Sequence, residues 1–282
     1  MTSSTTSPGA VLLLGGTGKV GRRLAPLLQA AGIPALVASR SGDVKFDWFD
    51  ESTWEPIFAT PIESVYFVCT TADNHVELSK KFIDLAVAKG VKRIVLLGAS
   101  SVEEGRPFMG EEWAYLRELG KRGKIGWAVL RPTWFMENFS ESYHVKEIQE
   151  GKLYSATGAG RVPWISTHDI AAVGFHALTS PEPPNTDFVI LGSELLTYQD
   201  IASIFTAVLG RKIAYEQLSV ADMTTYFISL GLPADYAPVL AGMEGDIGAG
   251  AEDRTNDVVR TVTGKEPRRF REFVEQNRAV WS

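Results

Sequence analysis

The sequence holds a single cysteine, Cys69, so an internal disulfide is excluded and no thiolate cluster can bind a metal. Histidine is almost as scarce. Its four copies, His75, His144, His168 and His176, never fall within one helical turn of each other, and no metal site is expected. Long hydrophobic runs are missing too: no apolar stretch approaches the roughly 20 residues that span a bilayer. The opening stretch, Met1 to Gly9, is polar and rich in Ser and Thr, without the basic start of a secretory leader. A cytoplasmic protein with no membrane partner is expected. Runs of Lys and Arg are equally absent and the formal net charge is -6, which removes the electrostatic footprint of a nucleic-acid binder.

What is present is an ordinary globular composition, 45% hydrophobic and 22% charged, in a chain long enough for one large α/β domain and a smaller lobe. Short β-branched runs alternate with amphipathic stretches, the pattern of a parallel sheet covered by crossover helices. Strands are expected at Val11 to Leu14, Ala35 to Ser39, Val65 to Cys69, Arg93 to Leu97 and Trp127 to Leu130, with a short candidate at Val44 to Phe46. Helices are expected at Lys19 to Ala31, Val76 to Ala88 and Glu111 to Leu119. Beyond Arg131 the regularity weakens and aromatics accumulate: Trp134, Phe135, Phe139, Tyr143, Tyr154 and Trp164. A helix at Asp169 to Leu178 and a strand at Phe188 to Leu191 then complete a first domain, 1–192. The remainder, 193–282, reads as a smaller α/β lobe, with helices at Gln199 to Leu209 and Val220 to Leu230 and a strand at Ile213 to Glu216. The four glycines between Gly242 and Gly250 leave little side chain to pack, so a mobile loop is expected there.

Gly15-Gly16-Thr17-Gly18-Lys19-Val20-Gly21 follows the first strand and opens the first helix. Glycines at 16, 18 and 21 fit the spacing of a dinucleotide-binding turn, which allows a tight bend, backbone approach to a pyrophosphate and close helix-to-strand packing. Gly15, Thr17, Gly18, Lys19 and Val20 are therefore expected around the phosphates, at the positive end of the helix. The second strand ends beside the adenosine ribose. An acid there would favour a 2′-hydroxyl, whereas Ser39-Arg40-Ser41 offers a guanidinium and hydroxyls to a 2′-phosphate. NADP(H) is the expected cofactor, with Arg40 and Ser41 as ligands and Asp47 beside the adenine. Thr70, after the fourth strand, and Ala99, after the fifth, should border it as well. Cys69 has no histidine placed in the sequence to activate it and reads as a buried thiol.

An absence also bears on the reaction. A carbonyl reductase needs a proton donor, commonly a Tyr followed four residues on by Lys. Tyr115 is followed by Leu116, Arg117, Glu118 and Leu119, so that donor pair is missing. An iminium carbon accepts hydride to give a neutral amine with no proton transfer. Glu103 and Glu104 follow the fifth strand, and Glu104 is the candidate catalytic carboxylate, facing a cationic substrate or taking a proton from it.

Gly15 to Gly21, Ser39-Arg40, Arg131 to Phe139 (RPTWFMENF) and Thr263 to Pro267 (TGKEP) together resemble the NmrA-like branch of the atypical short-chain dehydrogenases. Within it the chain is most similar to the ergot-alkaloid dehydrogenases of the agroclavine and festuclavine type. That resemblance implies a Rossmann-type doubly wound sheet and NADPH-dependent reduction of an iminium. Related plant reductases of the isoflavone type carry a catalytic lysine near the helix after the fifth strand. Phe108 to Trp113 has none, so their mechanism does not transfer. The substrate, a small aromatic cation, is expected against Met109, Trp113, Trp134, Phe135, Asn138 and Trp164, where aromatic faces supply cation-π contacts. Two other readings stay open: a nucleotide-sensing regulator without catalysis, and a non-redox cyclase or isomerase that retains the cofactor.

Overall fold

The computed structural model describes residues 9–282 apart from positions 41, 43 and 71. These residues form two compact units: the chain up to Pro132 together with Thr167–Val189, and Thr133–Ser166 together with Ile190–Ser282.

The first unit is built on a sheet whose first strand, β1 (Ala10–Leu14), is buried along its whole length, as its uninterrupted aliphatic run requires. Beside it lie β2 (Ala35–Ser39), β3 (Val44–Lys45), β4 (Ile62–Phe67), β5 (Arg93–Leu97), β6 (Gly126–Pro132) and β8 (Thr186–Ile190), in the spatial order β3-β2-β1-β4-β5-β6-β8. The pairs from β3 to β6 are parallel, and the crossovers run through α1 (Gly21–Ala30), α2 (His75–Ala88) and α3 (Gly110–Lys121), with α6 (Thr167–Thr179) leading to β8. The sheet interior and the apolar stripes of α2 and α3 close into one core around Leu12, Val65, Phe67, Phe82, Ile94 and Leu116. This is the doubly wound arrangement expected from the alternation. The chain leaves β1 toward β2 on one side and returns to β4 on the other, so the order reverses between β1 and β4. In such sheets a crevice opens at that point, on the carboxyl edge.

Of the boundaries that differ from the sequence reading, two border the carboxyl edge of the sheet. β4 ends at Phe67 rather than Cys69, because its partner β1 turns away after Leu14. α1 starts at Gly21 rather than Lys19, since Gly18 to Val20 belong to the turn.

The second unit contains α4 (Asn138–Glu141), α5 (His144–Gln149), β7 (Lys152–Ser155), α7 (Tyr198–Leu209), β9 (Ala214–Gln217), α8 (Val220–Ser229), α9 (Ala237–Gly248), α10 (Val258–Thr263) and α11 (Phe270–Gln276). β7 and β9 pair in parallel, with Leu153 opposite Tyr215. Sequence periodicity did not single out β7, a four-residue strand whose alternation is carried only by buried Leu153 and Ser155.

The domain boundary drawn at residue 192 is replaced by an interleaved one. Residues 133–166 pack with the C-terminal part because their aromatics join its core: Phe139 and Trp164 lie against Tyr198, Phe205 and Phe270. The mobile loop expected at Gly242 to Gly250 is corrected as well. Most of it is helix α9, which buries Ala241, Glu244 and Ile247. Two of its glycines serve close approach: a β-carbon on Gly245 would stand 3.0 Å from Val220 Cγ2, and one on Gly248 3.2 Å from the Thr157 carbonyl. Among the described residues no helix is long and apolar enough to cross a membrane.

Candidate cofactor and substrate site

The turn after β1 is fixed by its own backbone. Gly15 adopts φ +79°, the left-handed region that glycine enters without strain, and the Gly18 N–H donates to the Gly15 carbonyl at 2.9 Å. A β-carbon on Gly21 would fall 2.5 Å from the Gly15 oxygen and 2.6 Å from Gly16 Cα; one on Gly16 would fall 2.9 Å from Val37 Cγ1. The loop is thus pressed between its own helix and β2, and only hydrogen fits at those two positions. This is the cradle a pyrophosphate requires, with backbone N–H groups ahead of a helix.

A cavity of about 320 Å³ opens beside this turn, lined by Gly15, Thr17, Arg40, Asp47, Phe49 and Thr70 among others. Five of the residues expected at the cofactor are therefore brought together. Arg40 is exposed where β2 ends. Asp47 is held in a tight turn, its Oδ1 accepting from the Phe49 N–H at 3.0 Å and its carbonyl from Trp54 Nε1 at 2.8 Å. Trp48 packs edge-on against Phe67 and Phe82 and belongs to the core, whereas Phe49 is 68% exposed at the cavity rim. Gly18 is exposed on the turn, Lys19 is half-buried and Val20 is buried at the start of α1. Ala99 is half-buried just after β5, its carbonyl accepting from the Val102 N–H. Ser41 lies outside the described residues.

A larger cavity, about 460 Å³, opens at the opposite edge of the sheet around Glu63, Lys92 and Arg93. Arg93 is spent on structure there, donating to the Ala177 carbonyl at 2.9 Å and the Ser180 carbonyl at 2.7 Å at the end of α6. Ligands of open α/β sheets bind at the carboxyl edge, so the smaller cavity is the candidate site.

Beside Cys69 the structure places groups that the sequence could not. His75 Nδ1 and Glu112 Oε1 are 2.7 Å apart, across α2 and α3, and Glu112 is fully buried next to the thiol. Burial, then the Glu112 carboxyl, push the Cys69 thiol far above its usual range, so Cys69 stays protonated and is no nucleophile.

The loop between β5 and α3 carries Glu103, which is exposed, and Glu104, which accepts a charged hydrogen bond from Arg117 on α3. That pairing directs Glu104 toward α3. Phe108 and Met109 are consecutive left-handed residues, with φ 60° and 67°. They are followed by Gly110, where a β-carbon would strike the Glu103 carbonyl at 2.1 Å. Met109 is half-buried against the core. Trp113, expected at the substrate, is instead a core residue. It lies beneath the Arg131 guanidinium at 5.0 Å, and Arg131 is itself bound to Asp187 at 2.8 Å and to the Ser100 carbonyl at 3.1 Å. Tyr115, the nearest tyrosine to a reductase donor, gives its hydroxyl to Asp84 at 2.5 Å. Burial and that bond push its pKa up to about 12, which makes it a poor proton donor.

In the second unit Trp134, Phe135 and Asn138 are half-buried. Trp164 is corrected to the core: it is 2% exposed, with Phe139 at 4.9 Å, Tyr198 at 5.5 Å and Trp134 at 6.4 Å. Large aromatics pack internally before they serve a ligand, and both tryptophans follow that rule. Among the described residues no group of three His, Cys, Asp or Glu side chains is placed to hold a metal.

The geometry agrees with the comparisons. The festuclavine dehydrogenase of Aspergillus fumigatus is 43% identical over 96% of this chain and 98% of its own. The agroclavine dehydrogenase of Claviceps fusiformis is 40% identical over the same shares. Among solved structures, the Citrobacter triphenylmethane reductase complexed with NADP(H) superposes with a TM-score of 0.76 at 19% identity, over 95% of this chain and 99% of that one. The NADPH-dependent quinone oxidoreductase of Escherichia coli superposes at 0.74 and 20%, over 94% and 99%. The profile of the NmrA-like family matches residues 8–274, and the chain belongs to that family.

Proposed function

We propose that this chain is an NADPH-dependent reductase that reduces an imine or iminium of an indole-alkaloid-type substrate. The near-full-length identity to two alkaloid dehydrogenases supports the class of reaction and the pathway type. The cavity that joins the glycine turn to Arg40 supports the choice of nucleotide, because a guanidinium pairs with a 2′-phosphate where a carboxylate would repel it. When bound there, the nicotinamide supplies the hydride.

The observation that favours the substrate class is the missing proton-donor pair: Tyr115 has no lysine four residues on, and its hydroxyl is bonded to Asp84. Reduction of a ketone leaves an alkoxide that needs a proton. Addition of hydride to an iminium carbon turns the C=N π pair into the nitrogen lone pair, and no proton moves. The chain's part is then to bind and orient: the Gly15–Gly18 turn and Arg40 hold the nucleotide phosphates, and Phe49 covers the cavity rim. The test is N-methyl-3,4-dihydro-β-carbolinium, an indole iminium, incubated with NADPH and separately with NADP⁺ while nucleotide absorbance and product are followed together. One NADPH lost per amine formed is expected. Product formed with NADP⁺ and no redox change would replace the reading with a cyclase or isomerase. In the same assay Glu104→Gln is expected to stay within about twofold of wild type, because that carboxylate is committed to a part-exposed pair with Arg117.

A further inference from the structure

Glu244, on α9, is fully buried. Its Oε2 accepts the Ala156 N–H at 2.7 Å, and its Oε1 has no partner. Around it the second unit gathers a second carboxylate and three phenols. Glu147, on α5, is 3% exposed and takes His144 Nδ1 at 2.7 Å on one oxygen and the Tyr226 hydroxyl at 2.7 Å on the other. Tyr143, preceding α5, lies 5.6 Å from Phe227 and 4.2 Å from the His144 ring. Tyr143 and Tyr198 both feel the field of Glu244 and Glu147. No lysine or arginine among the described residues pairs with either carboxylate. The nearest lysine of the small sheet, Lys152, is bound to Glu216 at 2.8 Å and lies over Tyr154. The cluster is therefore aromatic and carries more negative charge than its one imidazole can balance. A buried carboxylate oxygen left without a donor costs of order 1–3 kcal/mol, a cost that an arriving N–H donor would relieve.

We propose that Glu244, framed by Tyr143, Tyr198 and Glu147, is a subsite for a positively charged nitrogen, receiving the N–H or the cationic face of a protonated amine or iminium. This rests on the cationic substrate proposed above and names the groups that recognise it. A carboxylate facing aromatic rings is the arrangement that selects alkylammonium over uncharged ligands. Tyr143, Ala156 and Tyr226 are half-buried and mark the side from which the cluster is reached. Burial, opposed by the Ala156 N–H and aided by Glu147, raises the Glu244 pKa to about 7, so recognition of a cation strengthens as the pH rises through that value. The titratable groups facing Glu244 are Glu147 from α5, Tyr143 before it and Tyr198 from α7. Tyr226 from α8 and His144 act through Glu147.

The test measures binding of N-methyltryptamine, a secondary ammonium, and of N-acetyltryptamine, the uncharged compound with the same indole, to the NADP⁺-loaded full chain by calorimetry at pH 6 and pH 8. The expected result is a preference for the amine of about tenfold or more at pH 8, consistent with one charge-assisted contact. It should shrink at pH 6 and be absent in Glu244→Gln, with the amide affinity unchanged. A preference that is the same at both pH values, that survives in Glu244→Gln, or that wild type never shows would overturn the proposal. The pH arm needs no variant, so a Glu244→Gln chain that fails to fold still leaves a decisive measurement. If the indole iminium is not reduced but the Glu244-dependent preference is present, the reductase reading fails and the subsite stands. If reduction proceeds while the preference is independent of Glu244, the reverse holds.

Discussion

Glu244 makes a prediction about stability that is independent of any ligand. Its pKa is about 7 in the folded chain against 4.5 for an unperturbed glutamate, because burial disfavours the charge. The folded state thus binds a proton that the unfolded state has already released over that window, and stability must fall as pH rises from about 4.5 to about 7, then level off. At about 1.4 kcal/mol per pH unit, an elevation from 4.5 to about 7 corresponds to a loss of about 3 kcal/mol, a large part of the usual 5–15 kcal/mol of a folded domain. Glu244→Gln keeps an oxygen for the Ala156 N–H and removes the ionisation. Urea unfolding of wild type and variant from pH 4.5 to pH 8, followed by tryptophan fluorescence, isolates this group, because the difference between the two curves cancels the other titrations. The variant should gain on wild type progressively, by about 3 kcal/mol at pH 8 relative to pH 4.5, with the gain complete just above pH 7. A difference that does not vary with pH would refute the reasoning, and one that grows as pH falls would invert its sign.

Two further outcomes follow from the cofactor cavity. Arg40→Ala should weaken NADPH by about tenfold in a fluorescence titration and leave NADH unchanged, since an exposed guanidinium contributes on the order of 1.5 kcal/mol to a phosphate contact; equal losses for both nucleotides would show that Arg40 does not meet the 2′-phosphate. Gly21→Ala should weaken both nucleotides together and lower stability by about 1–3 kcal/mol, because its β-carbon meets backbone at 2.5 Å and 2.6 Å and the turn must move; unchanged binding and melting would mean that the contact relaxes freely.

The sequence alone determined the local elements and the nucleotide end of the site. A buried parallel strand must be a short aliphatic run and its crossover helix must be amphipathic, so β1, β2, β5 and their helices are written in order along the chain. The glycine turn and Arg40 are likewise local, each defined by residues next to a strand end, and the cavity unites them as that spacing requires. Features that depend on segments distant in sequence were decided only by the tertiary structure. Trp113 and Trp164 read equally well as ligand or core residues until packing put one under Arg131 and the other against Phe139. The glycines of α9 look like a loop because glycine disfavours helix, and only the neighbours Val220 and Thr157 explain the small residues at Gly245 and Gly248. His75 with Glu112, and Glu147 with Tyr226 and Glu244, join helices that lie 37 to 97 positions apart in the chain. No periodicity links such residues. Whether a glutamate is solvated or buried is a property of what folds over it, and that is set by long-range packing rather than by its own neighbours.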